Sequence, residues 1–180
     1  MLQVTVQSLG LDQASKTPVV ILQEQDGDRV LPIWIGPAEA SAIAMELAGM
    51  KFSRPLTHDL TASIIRGLGG RLLRVLISRV QENTYFAELV IQRGEDVFSI
   101  DARPSDSIAI ALRLQADLFT TEDLLAETSI ELTEPDEDDE AGEGGEGGEG
   151  GPSAGEPMSP EQLQDYLRKM NPEDLGRFHP

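Results

Sequence analysis

Apolar and polar positions alternate from the start of the chain. Leu2-Gln3-Val4-Thr5-Val6-Gln7-Ser8-Leu9 has the two-residue period of a strand with one buried face. Residues 19–23 predict a second strand, Asp26-Gly27-Asp28 a turn, and residues 29–35 the returning strand of a hairpin. The period then changes. Gly36-Pro37 opens a helix, because proline is tolerated in a first turn whose N–H groups lack partners in any case. Ala40, Ile43, Ala44 and Leu47 fall at i, i+3, i+4 and i+7, and Gly49 stops the run, so a helix is expected over 37–48. Thr57 can cap a second helix, with Leu60, Ile64 and Leu68 as its buried stripe and Gly69-Gly70 as its end. Strands are expected again at 72–78, 85–91 and 96–101, then a helix from Pro104 to residue 114 and a short one from a Thr121 cap to about residue 127.

The order of elements repeats, and so do residues. At an offset of 67, Gly27 meets Gly94, Ile33 meets Ile100, Pro37 meets Pro104, Glu39 meets Asp106, and Ala42-Ile43-Ala44 meets Ala109-Ile110-Ala111. An offset shorter by three lays Thr57, Asp59 and Leu60 on Thr121, Asp123 and Leu124. The expected fold class is therefore α+β: a duplicated three-strand, two-helix unit forming one compact mixed-sheet domain over residues 1–130.

Composition changes the picture only beyond that point. Residues 131–158 become rich in Asp, Glu and Gly, bury almost no apolar surface and repel themselves, which predicts a disordered acidic linker. Residues 159–180 follow with a capping box at Ser159-Pro160-Glu161-Gln162 and a stripe of Leu163, Tyr166, Leu167 and Met170. A short amphipathic helix at about 160–170 is expected, marginal alone and in need of its own domain or a protein partner to dock on.

The net charge is −18, and most of it belongs to the tail: residues 1–127 hold 11 Lys/Arg and 17 Asp/Glu (11 − 17 = −6), residues 128–180 hold 3 and 15 (3 − 15 = −12). An acidic domain argues against tight nucleic-acid binding by charge neutralisation alone, and less against an enzyme whose bound cation inverts the local charge. With no cysteine, a disulfide framework, a thiolate zinc site and a cysteine nucleophile are all excluded. No apolar run approaches the ~20 residues of a membrane span, so a cytoplasmic protein without membrane attachment is expected. Phosphate-binding loops of the GxxxxGK[ST] type, dinucleotide fingerprints and GxSxG elbows are all missing.

Three blocks carry a resemblance: Leu31-Pro32-Ile33-Trp34-Ile35-Gly36-Pro37-Ala38-Glu39-Ala40, Arg54-Pro55-Leu56-Thr57-His58-Asp59-Leu60, and Ile100-Asp101-Ala102-Arg103-Pro104-Ser105-Asp106-Ser107-Ile108-Ala109. In order and spacing they resemble the bifunctional nuclease domain over about residues 1–127. The resemblance implies a compact α+β fold and hydrolysis of DNA and RNA, with nucleic acid as the partner.

The residues that could perform that chemistry cluster at helix starts. Asp101, Arg103 and Asp106 surround a strand-to-helix join, where two carboxylates could hold Mg²⁺ or Mn²⁺ and Arg103 could grip a phosphate oxygen. The same residues also read as a self-contained knot in which Arg103 pairs with a neighbouring aspartate. His58, the one histidine of the domain, serves either as a general acid/base or as a partner to a nearby loop; Asp59 is either a metal ligand or a helix-end acid. Glu39, the repeat counterpart of Asp106, is a further candidate ligand. Trp34 is expected in the core, and Arg66, Arg71, Arg74 and Arg79 are a candidate phosphate patch or scattered solubilising charge. The leading reading is a divalent-metal-assisted nuclease with catalytic Asp101, Asp106, Arg103 and His58 and metal ligands Asp101, Asp106, Asp59 and Glu39. The alternative is a non-catalytic interaction module. A homo-oligomer is compatible with either.

Overall fold

The computed structural model describes residues 1–12, 15–82, 84–128 and 130–131; the expected tail helix and nearly all of the acidic linker lie outside the described residues. Three antiparallel strands, β1 (Leu2–Leu11), β2 (Pro18–Glu24) and β3 (Arg29–Trp34), lead into helices α1 (Pro37–Leu47) and α2 (Thr57–Gly67). A second meander, β4 (Arg71–Gln81), β5 (Thr84–Arg93) and β6 (Asp96–Ala102), leads into α3 (Pro104–Leu114), β7 (Asp117–Thr120), α4 (Glu122–Thr128) and β8 (Ile130–Glu131). Both strand-to-helix joins have one conformation. Gly36 (φ −73°, ψ 158°) and Arg103 (φ −67°, ψ 145°) are extended N-caps followed by proline, and each opens an 11-residue helix. The duplication expected from the offset of 67 is thus present in the architecture.

All the strands share one mixed sheet, ordered β6-β5-β4-β7-β1-β2-β3-β8. Strand β7 joins the two meanders, parallel to β4 and antiparallel to β1. Sequence reading missed β7 and β8, because four and two residues are too few for a period to emerge. Residues 48–56 of the first unit form no strand, so the copies diverge there. The sheet is strongly curled: Tyr85 on β5 donates its hydroxyl hydrogen to the carbonyl of Pro32 on β3 at 3.2 Å, whereas five strand steps in a flat sheet span ~24 Å. Helix α4 touches both β3 and β4 and plugs the opening with buried Leu124 and Leu125. Leu22, Leu31, Ile33, Ile43, Ile77 and Ile108 fill the interior.

Helices α1 and α2 end where predicted, at Gly49 and Gly69, which adopt left-handed φ values of 64° and 75°. Thr121 caps α4 by accepting the Leu124 N–H at 3.2 Å, also as expected. Helix α2 departs from expectation in its orientation. Leu60, Ile64 and Leu68 are 50%, 50% and 67% exposed, while Ala62 is buried and Ile65 packs on the core. The more apolar stripe faces outward because Arg113 of α3 holds Asp59 on the opposite side. Leu124, which matches Leu60 in the repeat, is buried, since α4 packs on both β3 and β4 whereas α2 packs mainly on α3. Two other residues expected inside are exposed. Leu47 is at the last turn of α1, and Trp34, 49% exposed, ends β3 with its indole N–H donating to Asp12 at 3.3 Å.

Candidate active site

Helix α3 packs against α1 and α2, and the first turns of all three helices contribute to one cluster. Glu39 and Asp106 occupy the third position of α1 and α3, as their repeat alignment requires. Arg103, the N-cap residue of α3, spans them: its Nε meets Asp106 Oδ2 at 2.7 Å and its terminal nitrogen meets Glu39 Oε1 at 2.7 Å. His58, in the first turn of α2, places Nε2 2.9 Å from Asp106 Oδ1. Both oxygens of Asp106 are therefore engaged, one by each basic side chain. Gly36 makes room for this arrangement, since a Cβ there would collide with the Glu39 carboxylate.

The electrostatics follow from the contacts. Burial alone would raise the Asp106 carboxyl, but hydrogen bonds and charge from Arg103 and His58 outweigh it and hold the group below its ordinary range. Asp106 in turn raises the Arg103 guanidinium, so this pair stays charged. Against an ionised Asp106, the 2.9 Å contact makes His58 Nε2 the protonated nitrogen and leaves Nδ1 with the lone pair of the neutral ring. His58 is 15% and Arg103 62% exposed, so the guanidinium is the open part of the cluster. Its ion pairs use two of five N–H donors, and the remainder are available to an anion. Three helix N-termini add the positive ends of their dipoles.

The candidates from sequence divide into two groups. Glu39, His58, Arg103 and Asp106 come together; Asp59 and Asp101 do not join them. Asp59 accepts the Arg113 Nε hydrogen at 2.5 Å and the Leu56 N–H at 2.9 Å, which draws its carboxyl below the ordinary range, chiefly through Arg113. Asp101 lies exposed on β6 opposite Glu88, and its side chain makes no hydrogen bond or ion pair among the described residues. No group of three or more His, Asp or Glu that could hold a metal ion forms among the described residues. The expected ligand set does not fit a divalent cation in this arrangement: Arg103 pairs with Glu39 and Asp106, Arg113 pairs with Asp59, and Asp101 lies apart from all three.

Arg113 escaped the sequence reading. Its side chain is buried, and besides Asp59 it donates to the carbonyls of Ala109 at 2.9 Å and Ala42 at 3.2 Å, tying α1, α2 and α3 together. The available signal was an arginine at the end of an otherwise apolar helix. Of the basic stretch, Arg66 and Arg71 line one cleft of about 210 Å³, while Arg79 lies over the Phe86 ring at 4.1 Å.

The family model described as the bifunctional nuclease domain matches residues 20–133, and the chain belongs to that family. It is 44% identical over 135 residues to uncharacterized protein MT1877 of Mycobacterium tuberculosis (strain CDC 1551 / Oshkosh), covering 75% of this chain and 79% of that one. Bifunctional nuclease 2 of Oryza sativa subsp. japonica is 26% identical over 133 residues, 72% of this chain and 41% of the rice protein. Bifunctional nuclease 1 of Arabidopsis thaliana is 25% identical over 100 residues, 53% and 31% of the two chains. No helix among the described residues is long and apolar enough to cross a membrane.

Proposed function

We propose that the chain is a nuclease that hydrolyses phosphodiester bonds in both DNA and RNA, with the Glu39–Arg103–Asp106–His58 cluster as its reacting centre. The observation that carries this reading is the contact of Asp106 with both basic side chains at 2.9 and 2.7 Å. An ionised carboxylate on Nε2 orients the imidazole and leaves Nδ1 as the nitrogen able to accept a proton, the arrangement a general base requires. His58 takes a proton from water as the water oxygen bonds to phosphorus. The bond to the leaving oxygen breaks, and the imidazolium returns the proton to that oxygen or to solvent. Arg103 holds a non-bridging oxygen with its free N–H groups and offsets the charge that develops there. Glu39 keeps the guanidinium in place. No step of this scheme runs through a cation; Mg²⁺ or Mn²⁺ enters as an experimental arm, with Asp101 as its free carboxylate.

The test is cleavage of single-stranded DNA and RNA by the purified full chain, beside His58→Ala prepared identically, with and without chelator. Loss of cleavage by ~10²-fold or more in His58→Ala supports general-base catalysis. Cleavage equal in both preparations removes His58 from the mechanism, and sensitivity to chelator in the wild type alone assigns a cation to it. Absence of cleavage in either preparation favours the interaction module, with nucleic acid then bound or ignored without chemistry.

A further inference from the structure

The outward stripe of α2, Leu56, Leu60, Ile64 and Leu68, stands beside the edge strand β6, whose Phe98 and Ile100 are also exposed. A groove of about 240 Å³ joins them, lined by Ile64, Ile65, Leu68, Ile91, Phe98 and Ile100. We propose that this face binds a second copy of the chain through antiparallel pairing of β6 with β6 across a two-fold axis.

Three observations single out a second copy as the occupant. The first is area. At ~200 Å² for a fully exposed large apolar residue, the six side chains leave roughly 600 Å² per copy, at the upper end of patches on ordinary monomers. A symmetric pair would bury about 1,200 Å² before any backbone is counted, which reaches the range of stable interfaces. The second is the backbone. Strand β6 is paired with β5 on one side only, so its outer row of N–H and C=O groups is unpaired within the sheet, and a partner that satisfies such a row is a strand and not a helix. The apolar tail segment around Leu163 and Leu167 is patterned as a helix, so it could cover the groove but not extend the sheet.

The third observation is register. Centred on Ser99, a two-fold pairing sets Phe98 of one copy opposite Ile100 of the other, twice, on the face that carries the groove. Aromatic and β-branched side chains directly opposed across antiparallel strands are a favourable pair. The same register sets Val97 opposite Asp101, so Asp96 and Asp101 do not face each other or themselves. The α2 stripes then meet across the axis, with His58 of each copy two residues from Leu56 and Leu60 at the rim.

Sedimentation equilibrium of the full chain tests this. The expected mass is 39 kDa, twice 19.5 kDa. Ile64→Glu and Leu60→Glu change half-exposed side chains, so each should keep its far-UV circular dichroism while the dissociation constant rises by at least ~10-fold. Leu163→Glu/Leu167→Glu, which disables the tail stripe, should leave the mass at two chains. Amide hydrogen exchange at residues 97–101 should be slow in the wild type and faster in Ile64→Glu. A wild-type mass of one chain up to ~100 µM overturns the proposal. So does a pair that survives both α2 substitutions, or one that dissociates only when the tail is changed.

Discussion

Asp106 is held by two nitrogen donors from two elements, Arg103 three residues before it and His58 48 residues away, each on its own carboxylate oxygen. Such an acceptor cannot lose its charge without releasing both partners. Its carboxyl and that of Asp59 lie below their ordinary values, so their ion pairs add stability above the unfolded carboxylate pKa of ~3.9. That contribution disappears as pH falls through the still lower folded values. Thermal melts should accordingly show Asp59→Asn less stable than wild type at pH 6 and the gap closing as pH falls below the unfolded value; a gap that stays constant on acidification would show that Asp59 acts through shape and not charge. Arg103→Lys should reduce cleavage by at least ~10-fold, because an ammonium cannot span Glu39 and Asp106 and still present a planar fork to phosphate. Single-turnover rates on one oligonucleotide would measure this, and an unchanged rate would reduce Arg103 to a structural tie. The repeat aligned Glu39 with Asp106 in the sequence, and the strand-to-helix join singled out Arg103. What could not be read was the destination of Asp59, because its partner Arg113 is 54 residues away and no local pattern couples them.

At the scale of elements, the three helices that carry the site are coupled through Arg113. Removing it takes the arginine donor from the Ala42 carbonyl and leaves the Asp59 carboxylate with only the Leu56 N–H and no cation, so Arg113→Met should cost about 2–3 kcal/mol in urea unfolding. A loss below ~0.5 kcal/mol would show that the helices hold their positions by apolar packing alone. Gly36→Ala should act differently. The added methyl displaces the Glu39 carboxylate and frees one end of Arg103, so activity should fall further than stability; melting temperature and cleavage rate measured on the same preparation separate the two. Helix positions and ends were legible because proline, glycine and the 3.6-residue period mark them locally. The buried side of α2 was not, since Leu60, Ile64 and Leu68 are more apolar than Ala62 and Ile65, and periodicity does not distinguish a core face from an exposed one.

The whole molecule joins two copies of one unit, and its site forms where the first helices of both copies meet the second helix of the first. Neither copy alone assembles it: Glu39 and His58 come from the first, Arg103 and Asp106 from the second. The α+β class and the duplication were legible in the sequence. The curl of the sheet and the bridging role of β7 were not, because they depend on contacts such as Tyr85 with Pro32 that link distant strands. The acidic domain is also reconciled at this scale, since the net charge of −6 over residues 1–127 coexists with a locally exposed guanidinium backed by three helix N-termini. The central claim is that phosphodiester hydrolysis depends on Asp106. The most direct measurement is kcat/KM for single-stranded DNA and RNA with the full chain and with Asp106→Asn, purified side by side and checked for equal circular dichroism. A fall of at least ~10²-fold on both substrates is the predicted result. Equal rates in the two proteins would contradict it and place any cleavage outside this cluster.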